Sequence, residues 1–293
     1  MNMLDLGDLK LHWREDGDPA GPAVVFANSL GTDLRLWDKI IPLMPDGLRL
    51  IRYDMRGHGL SDCPKAPYSM GQLVRDAERL LDALGVRQCV FVGMSLGGMV
   101  GQGLAVKRLD LVRALVLSNT AARIATTAIW DQRIADARAG GVEALADAVM
   151  VRWFSKSFRT TPEAAGWRHM LTRTPLEGYV GCGAAISGTD FYTPTASLGL
   201  PTLGIAGSGD GSTPPDLVRE TVDLIKGSRF HLIKGAGHLP CIERPDEFAR
   251  VVTEFLAAIA HVGGDGCGCG HDHGCGHDHG EGRHHQHHHG GAR

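Results

Sequence analysis

The sequence predicts an α/β fold, a mostly parallel sheet with helices on both faces and a helical cap inserted between two strands. Three observations predict it. Short apolar runs rich in branched residues alternate with segments of helical periodicity. Those runs are continuously apolar rather than alternating, so both faces of the sheet are covered. One stretch, residues 121–190, has no convincing strand but several helical patterns and three of the five tryptophans, Trp130, Trp153 and Trp167.

The elements follow in order. His12 falls in an N-terminal strand. Residues 23–27 (AVVFA) and 48–53 (LRLIRY) read as buried strands. Residues 69–84 read as a helix, because Leu73, Ala77, Leu80, Leu81 and Leu84 share one face and Gly85 stops it. Residues 88–93 (QCVFVG) form the next strand and 99–106 a helix. Residues 113–118 (RALVLS), 203–206 (LGIA) and 229–233 (RFHLI) are the later strands. The final helix opens at Pro245, with Asp246 and Glu247 in its first turn, and buries Phe248, Val252, Phe255, Leu256 and Ile259. The expected organisation is a core made of residues 1–120 and 191–262, a cap of 121–190, and a tail of 263–293.

Composition narrows the functions. The 293 residues include 30 basic and 33 acidic ones, a formal charge of −3, so no nucleic-acid partner held by bulk positive charge is expected. The first residues (MNMLDLGD) have no basic n-region and no apolar h-region, and no apolar run reaches about 18 residues. Neither a secretory signal nor a membrane partner is expected. Four body cysteines, Cys63, Cys89, Cys182 and Cys241, are too scattered for a disulfide framework, and a cytoplasmic location is the expectation. Cys63 and Cys241 read as small buried hydrophobes. Oligomeric state is not legible.

The chemistry begins at Gly93-Met94-Ser95-Leu96-Gly97, which follows one strand and precedes one helix. So tight a turn needs small residues two before and two after the serine, and it exposes a strained serine at a helix N-terminus. Ser95 is the candidate nucleophile. It needs a base and the base needs an orienter, in the chain order serine, acid, histidine. His238 follows the last strand, and Asp210 the strand before it. Asp190 and Asp216 are the fallback acids. His12, His58, His169, His231 and His261 lack the required order and context. An oxyanion needs two backbone donors. Leu96, after the nucleophile, is one; Leu30, in the loop Asn28-Ser29-Leu30-Gly31-Thr32-Asp33, is the other. Asp54, Arg56 and His58, in the segment Tyr53 to Gly59, are expected to order a loop under the nucleophile.

These segments, with Ser118-Asn119-Thr120-Ala121-Ala122-Arg123, occur in an order that resembles the α/β-hydrolase family. Within it, the chain is similar to the 3-oxoadipate enol-lactonases of the β-ketoadipate pathway, from about Leu9 to Ala260. The N-S-L-G-T-D and S-N-T-A-A-R segments narrow the resemblance. The elbow departs mildly, reading S-L-G-G in place of S-M-G-G. The resemblance implies an eight-stranded, mostly parallel sheet with a helical cap, and a serine hydrolase acting on a small-molecule lactone or ester without a catalytic cofactor. Aspartate-nucleophile reactions of related dehalogenases and epoxide hydrolases are disfavoured by the serine. The lactone's carboxylate calls for an arginine. Of Arg123, Arg133, Arg138 and Arg152, the first choice is Arg133 and the second Arg152, with Trp130 and Trp153 as pocket walls. A carboxylesterase of the same fold, or a non-catalytic binding protein, are the competing readings.

The tail is a separate matter. Residues 263–293 hold eleven glycines, nine histidines and three cysteines, and no large apolar residue. Such a segment cannot bury a core and is expected to be disordered. The hexapeptide Cys269-Gly-His271-Asp-His273-Gly is repeated as Cys275-Gly-His277-Asp-His279-Gly. These ligand types suit Zn, Ni or Cu ions, and the tail is expected to bind them. It is not expected to take part in serine chemistry.

Overall fold

The structure, a computed structural model, describes residues 1–262. Eight strands, β1 (Asn2–Asp5), β2 (Lys10–Gly17), β3 (Ala23–Ala27), β4 (Arg49–Tyr53), β5 (Cys89–Met94), β6 (Val112–Ser118), β7 (Thr202–Gly207) and β8 (Arg229–Ile233), form one sheet. Their spatial order is β1-β2-β4-β3-β5-β6-β7-β8. β1 and β2 join antiparallel, and β4, β3, β5, β6, β7 and β8 run parallel. The parallel strands therefore end at one edge, where ligands bind in open α/β sheets.

The helices are α1 (Met70–Ala83), α2 (Leu96–Lys107), α3 (Thr127–Gly140), α4 (Ala146–Trp153), α5 (Pro162–Thr172), α6 (Leu176–Ser187), α7 (Tyr192–Ala196), α8 (Pro215–Asp223), α9 (Pro240–Glu243) and α10 (Pro245–Ala258). α3 to α7 all lie between β6 and β7, so no described strand interrupts the helical stretch. α1 starts as its sequence dictates. Ser69 Oγ accepts the Gln72 N–H at 3.2 Å, and Gln72 Oε1 accepts the Ser69 N–H at 2.9 Å. Gly85, at φ +68°, follows its end.

α2 begins three residues before the expected start, directly after Ser95. The glycines that read as a poor helix start are required by packing. A Cβ on Gly97 would collide with the Ala27 backbone, and one on Gly98 with the Thr120 side chain at 2.5 Å. Nine of the twelve α2 residues are buried, because the helix lies close on the sheet. A second core anchor is aromatic: Trp37 packs Phe26 at 5.0 Å and Phe248 at 6.0 Å between ring centroids.

Cys241 is buried as expected, but Cys63 is exposed, because it sits in the loop that carries the chain over the sheet edge to α1. Ile259 lies past the end of α10 and is only half-buried. None of the described helices is long and apolar enough to cross a membrane. The tail residues singled out for metal binding, Cys269, His271, His273, Cys275, His277 and His279, lie outside the described residues.

Candidate active site

The site is assembled from strand ends. β5 delivers Ser95 at φ 53° and ψ −112°, a strained backbone for a residue other than glycine. The sterics hold as expected: a Cβ on Gly93 would strike the Gly97 carbonyl. The turn is pinned from both sides. The Ser95 N–H donates to Ser118 O at 2.9 Å, Thr120 Oγ1 donates to Ser95 O at 2.7 Å, and the Gly97 N–H donates to Asn28 O at 3.0 Å.

β7 and β8 deliver the acid and the histidine. His238 Nδ1 lies 2.8 Å from Asp210 Oδ2, and both side chains are almost wholly buried. Asp210 accepts four further hydrogen bonds. They come from Asn119 Nδ2 at 2.9 Å, the Ser212 N–H at 2.7 Å, the Thr213 N–H at 3.0 Å and Thr213 Oγ1 at 2.8 Å. Burial pushes its carboxyl up, but the His238 charge and these donors outweigh it and hold the group below the ordinary carboxylate range. An ionised Asp210 fixes the proton on Nδ1 and leaves Nε2 free to accept another.

Sequence reasoning missed the roles of Asn119 and Thr213. Asn119 sits at the end of β6 with φ 49°, a left-handed conformation that asparagine tolerates better than most residues. Ser118 Oγ donates to its Oδ1 at 2.7 Å, which aims Nδ2 at Asp210. An asparagine immediately after a strand was the available signal.

The loop after β3 faces the elbow. Its anchors are Asn28 Nδ2 to Tyr53 O at 2.8 Å and Trp37 Nε1 to Asn28 Oδ1 at 2.8 Å. The Gly31 N–H donates to His58 Nε2 at 3.0 Å, so His58 carries its proton on Nδ1, toward Arg56 O at 3.2 Å. Burial lowers the His58 pKa, which keeps it neutral. Asp54 Oδ1 accepts the Leu34 N–H at 2.7 Å. The loop that Asp54 and His58 order is therefore this one, after β3. Arg56 instead makes a buried two-pronged pair with Asp76, at 2.6 and 2.8 Å. Among the described residues the N–H groups of Leu30 and Leu96 make no hydrogen bond; Leu96 follows Ser95 in the chain, and Leu30 lines the same cavity as Ser95.

Ser95, Leu30 and His238 line one cavity, roofed by Trp130, Trp153 and Tyr179 of the helical stretch. Ser95 Oγ has no hydrogen-bond partner among the described residues. The cavity is narrow, about 40 Å³, and a wider one of about 510 Å³ lies elsewhere, so volume alone does not mark the chemistry.

Four arginines were candidates for an anion. Arg123 lies 3.9 Å from Asp190 and Arg138 3.1 Å from Glu177, and neither lines this cavity. Arg133 and Arg152 do line it, and neither has a carboxylate partner among the described residues. Burial, then the neighbouring Arg152 charge, lowers the Arg133 pKa. Its guanidinium stacks 4.8 Å from the Trp130 ring centroid. Tyr179 is buried beside both arginines, and burial raises its pKa, so it stays a phenol. The cavity thus joins an activatable hydroxyl, a histidine–carboxylate pair and two free cations, with no acidic side chain lining it. That set suits acyl transfer on a small anion.

Comparison with known proteins agrees with the class. Residues 22–245 match the α/β-hydrolase fold family model, and the chain belongs to that family. It is 33% identical over 255 residues to 3-oxoadipate enol-lactonase 2 of Acinetobacter baylyi, covering 86% of this chain and 95% of the relative. An enol-lactonase structure from Burkholderia xenovorans superposes with a TM-score of 0.85 at 36% identity, over 87% of this chain and 100% of that one. A malate-bound esterase from Thermogutta terrifontis gives 0.80 at 27% identity, over 86% and 94%.

Proposed function

We propose that the chain is a serine hydrolase that opens 3-oxoadipate enol-lactone to 3-oxoadipate, in aromatic-compound breakdown. The observation that carries this reading is the pair of partnerless arginines, Arg133 and Arg152, in the same cavity as Ser95 and His238. A neutral ester has no use for two such cations. The similarity to enol-lactonases supports the choice of anion.

In this mechanism Ser95 Oγ attacks the lactone carbonyl carbon while His238 Nε2 takes its proton. The N–H groups of Leu30 and Leu96 hold the oxyanion; each donor contributes a factor of about 10²–10³ in rate. Collapse breaks the ring C–O bond. The departing enolate oxygen, a better leaving group than an alkoxide, takes the proton from His238 Nε2, and the enol so formed tautomerises to the ketone. His238 next draws a proton from water, which attacks the acyl-enzyme. The new carboxylate leaves and Ser95 regains its proton. Arg133 and Arg152 hold the substrate's own carboxylate away from the reacting bond.

The test is ultraviolet-followed hydrolysis of the lactone by the wild type and Ser95→Ala. Fast turnover that falls about 10⁵-fold or more in the variant is the expected result. Ser95-dependent cleavage of simple esters, with the lactone untouched, leaves the nucleophile standing and replaces the substrate. Lactone turnover that survives Ser95→Ala overturns the assignment of the nucleophile.

A further inference from the structure

A second cavity, about 510 Å³, lies on the far side of the loop after β3. That volume is within the range of about 300–1,000 Å³ typical of small-molecule sites. Gly31 falls in the chain between Leu30, which lines the Ser95 cavity, and Thr32, which lines this one. A Cβ there would stand 2.6 Å from Leu171 and 3.5 Å from Trp153. Leu30 lines the cavity of Ser95, whereas Thr32, Asp33 and Leu34 line the other.

The acidic groups of this second cavity are already committed. Asp54, 1% exposed, accepts the N–H groups of Leu34 at 2.7 Å and Leu60 at 2.9 Å, and binds His12 Nδ1 at 2.7 Å. Asp33 is paired with Arg35 at 2.6 Å. The donors are not all committed. His169 and Arg173, at the C-terminal end of α5, both line the cavity, and neither side chain has a partner among the described residues. His12 Nε2 is likewise without one. Between these donors the wall is apolar, made by Leu34, Leu60 and Met170, and Leu60 is 54% exposed. No serine or cysteine lines the cavity, and the Thr32 hydroxyl is spent on Ser29 O at 2.8 Å. The cavity is therefore equipped to bind, not to react.

We propose that it is a second ligand site, taking a small organic carboxylate with an apolar body. The carboxylate meets Arg173 and His169, and the body packs between Leu60 and Met170. A bare anion has no use for the apolar wall, and an apolar molecule none for the donors. The site is separate from the arginines of the Ser95 cavity and stands whether or not the lactone is the substrate.

The experiment is calorimetric titration of the full chain, as Ser95→Ala, with benzoate as the probe. The comparisons are a His169→Ala/Arg173→Ala double variant, an Arg133→Met/Arg152→Met double variant, and inorganic phosphate in place of benzoate. His169 and Arg173 are exposed and without side-chain partners, so their variant should keep the parent melting curve. Saturable benzoate binding is expected, weakened about tenfold or more by the first double variant and unchanged by the second, with phosphate binding about tenfold more weakly. No saturable binding, binding indifferent to the His169/Arg173 variant, binding lost only with Arg133 and Arg152, or phosphate binding as well as benzoate would each overturn the proposal.

Discussion

The carbonyl oxygen of Trp153, the last residue of α4, accepts the backbone N–H of His238 at 2.8 Å and that of Leu239 at 3.3 Å. The final carbonyls of a helix have no partner inside it. Here one of them anchors the loop that carries the histidine. Glu243 adds a second tie, accepting the Gly237 N–H at 2.7 Å and the Ser155 N–H at 3.2 Å.

Gly237→Ala tests this anchor. The added Cβ would stand 2.5 Å from Trp153 O, so the loop must move. A misplacement of about 1 Å costs about 10²-fold in kcat. The expected outcome is such a loss in steady-state kinetics, with KM and circular dichroism little changed.

Asp210→Asn should lower kcat by about 10⁴-fold, because the amide no longer fixes the histidine tautomer. It also has a stability signature. The Asp210 pKa is depressed in the folded chain, so its charge stabilises the fold above the unfolded carboxylate pKa and loses that effect as pH falls through the folded value. Denaturant melts should show the wild type progressively losing its advantage over Asp210→Asn as pH falls below about 5.

Arg133→Met and Arg152→Met should each raise KM for the anionic lactone by about tenfold or more and leave the kcat for neutral p-nitrophenyl acetate unchanged. Initial-rate measurements on both substrates check it. An equal effect on the neutral ester would assign the arginines to packing.

Asp76→Asn leaves Arg56 as a buried cation without its two-pronged partner. Removing one half of such a pair costs about 3–5 kcal/mol. The variant should melt at a correspondingly lower denaturant concentration.

What was legible in the sequence was local. The sterics of G-x-S-x-G act within five residues, and the α1 face and its Ser69 start act within one helix. The strand order and the cavity are not local. The sequence offers no physical ground for the preference given above to Arg133 and Arg152 over Arg123 and Arg138. The difference is that Asp190 and Glu177 approach the second pair in space. Asn119 offered only the local signal of an asparagine just past a strand, because its hydrogen bond reaches Asp210, 91 residues away. The early start of α2 was hidden because glycines weaken a helix by propensity, whereas Gly97 and Gly98 are demanded by Ala27 and Thr120.

The parallel strand ends supply Ser95, Asp210 and His238, and the helices between β6 and β7 supply Trp130, Arg133, Arg152 and Tyr179. Under the proposed function, reactivity and selectivity are carried by different stretches of chain. Drift within α3 to α6 can retune which molecule is admitted while the strand ends are left alone, and a lineage can change its diet without rebuilding its chemistry. The point at which this independence fails is Trp153, whose indole walls the cavity while its carbonyl steadies His238. A side-chain change there alters a buried wall of the cavity, and a shift in the α4 backbone is felt by both.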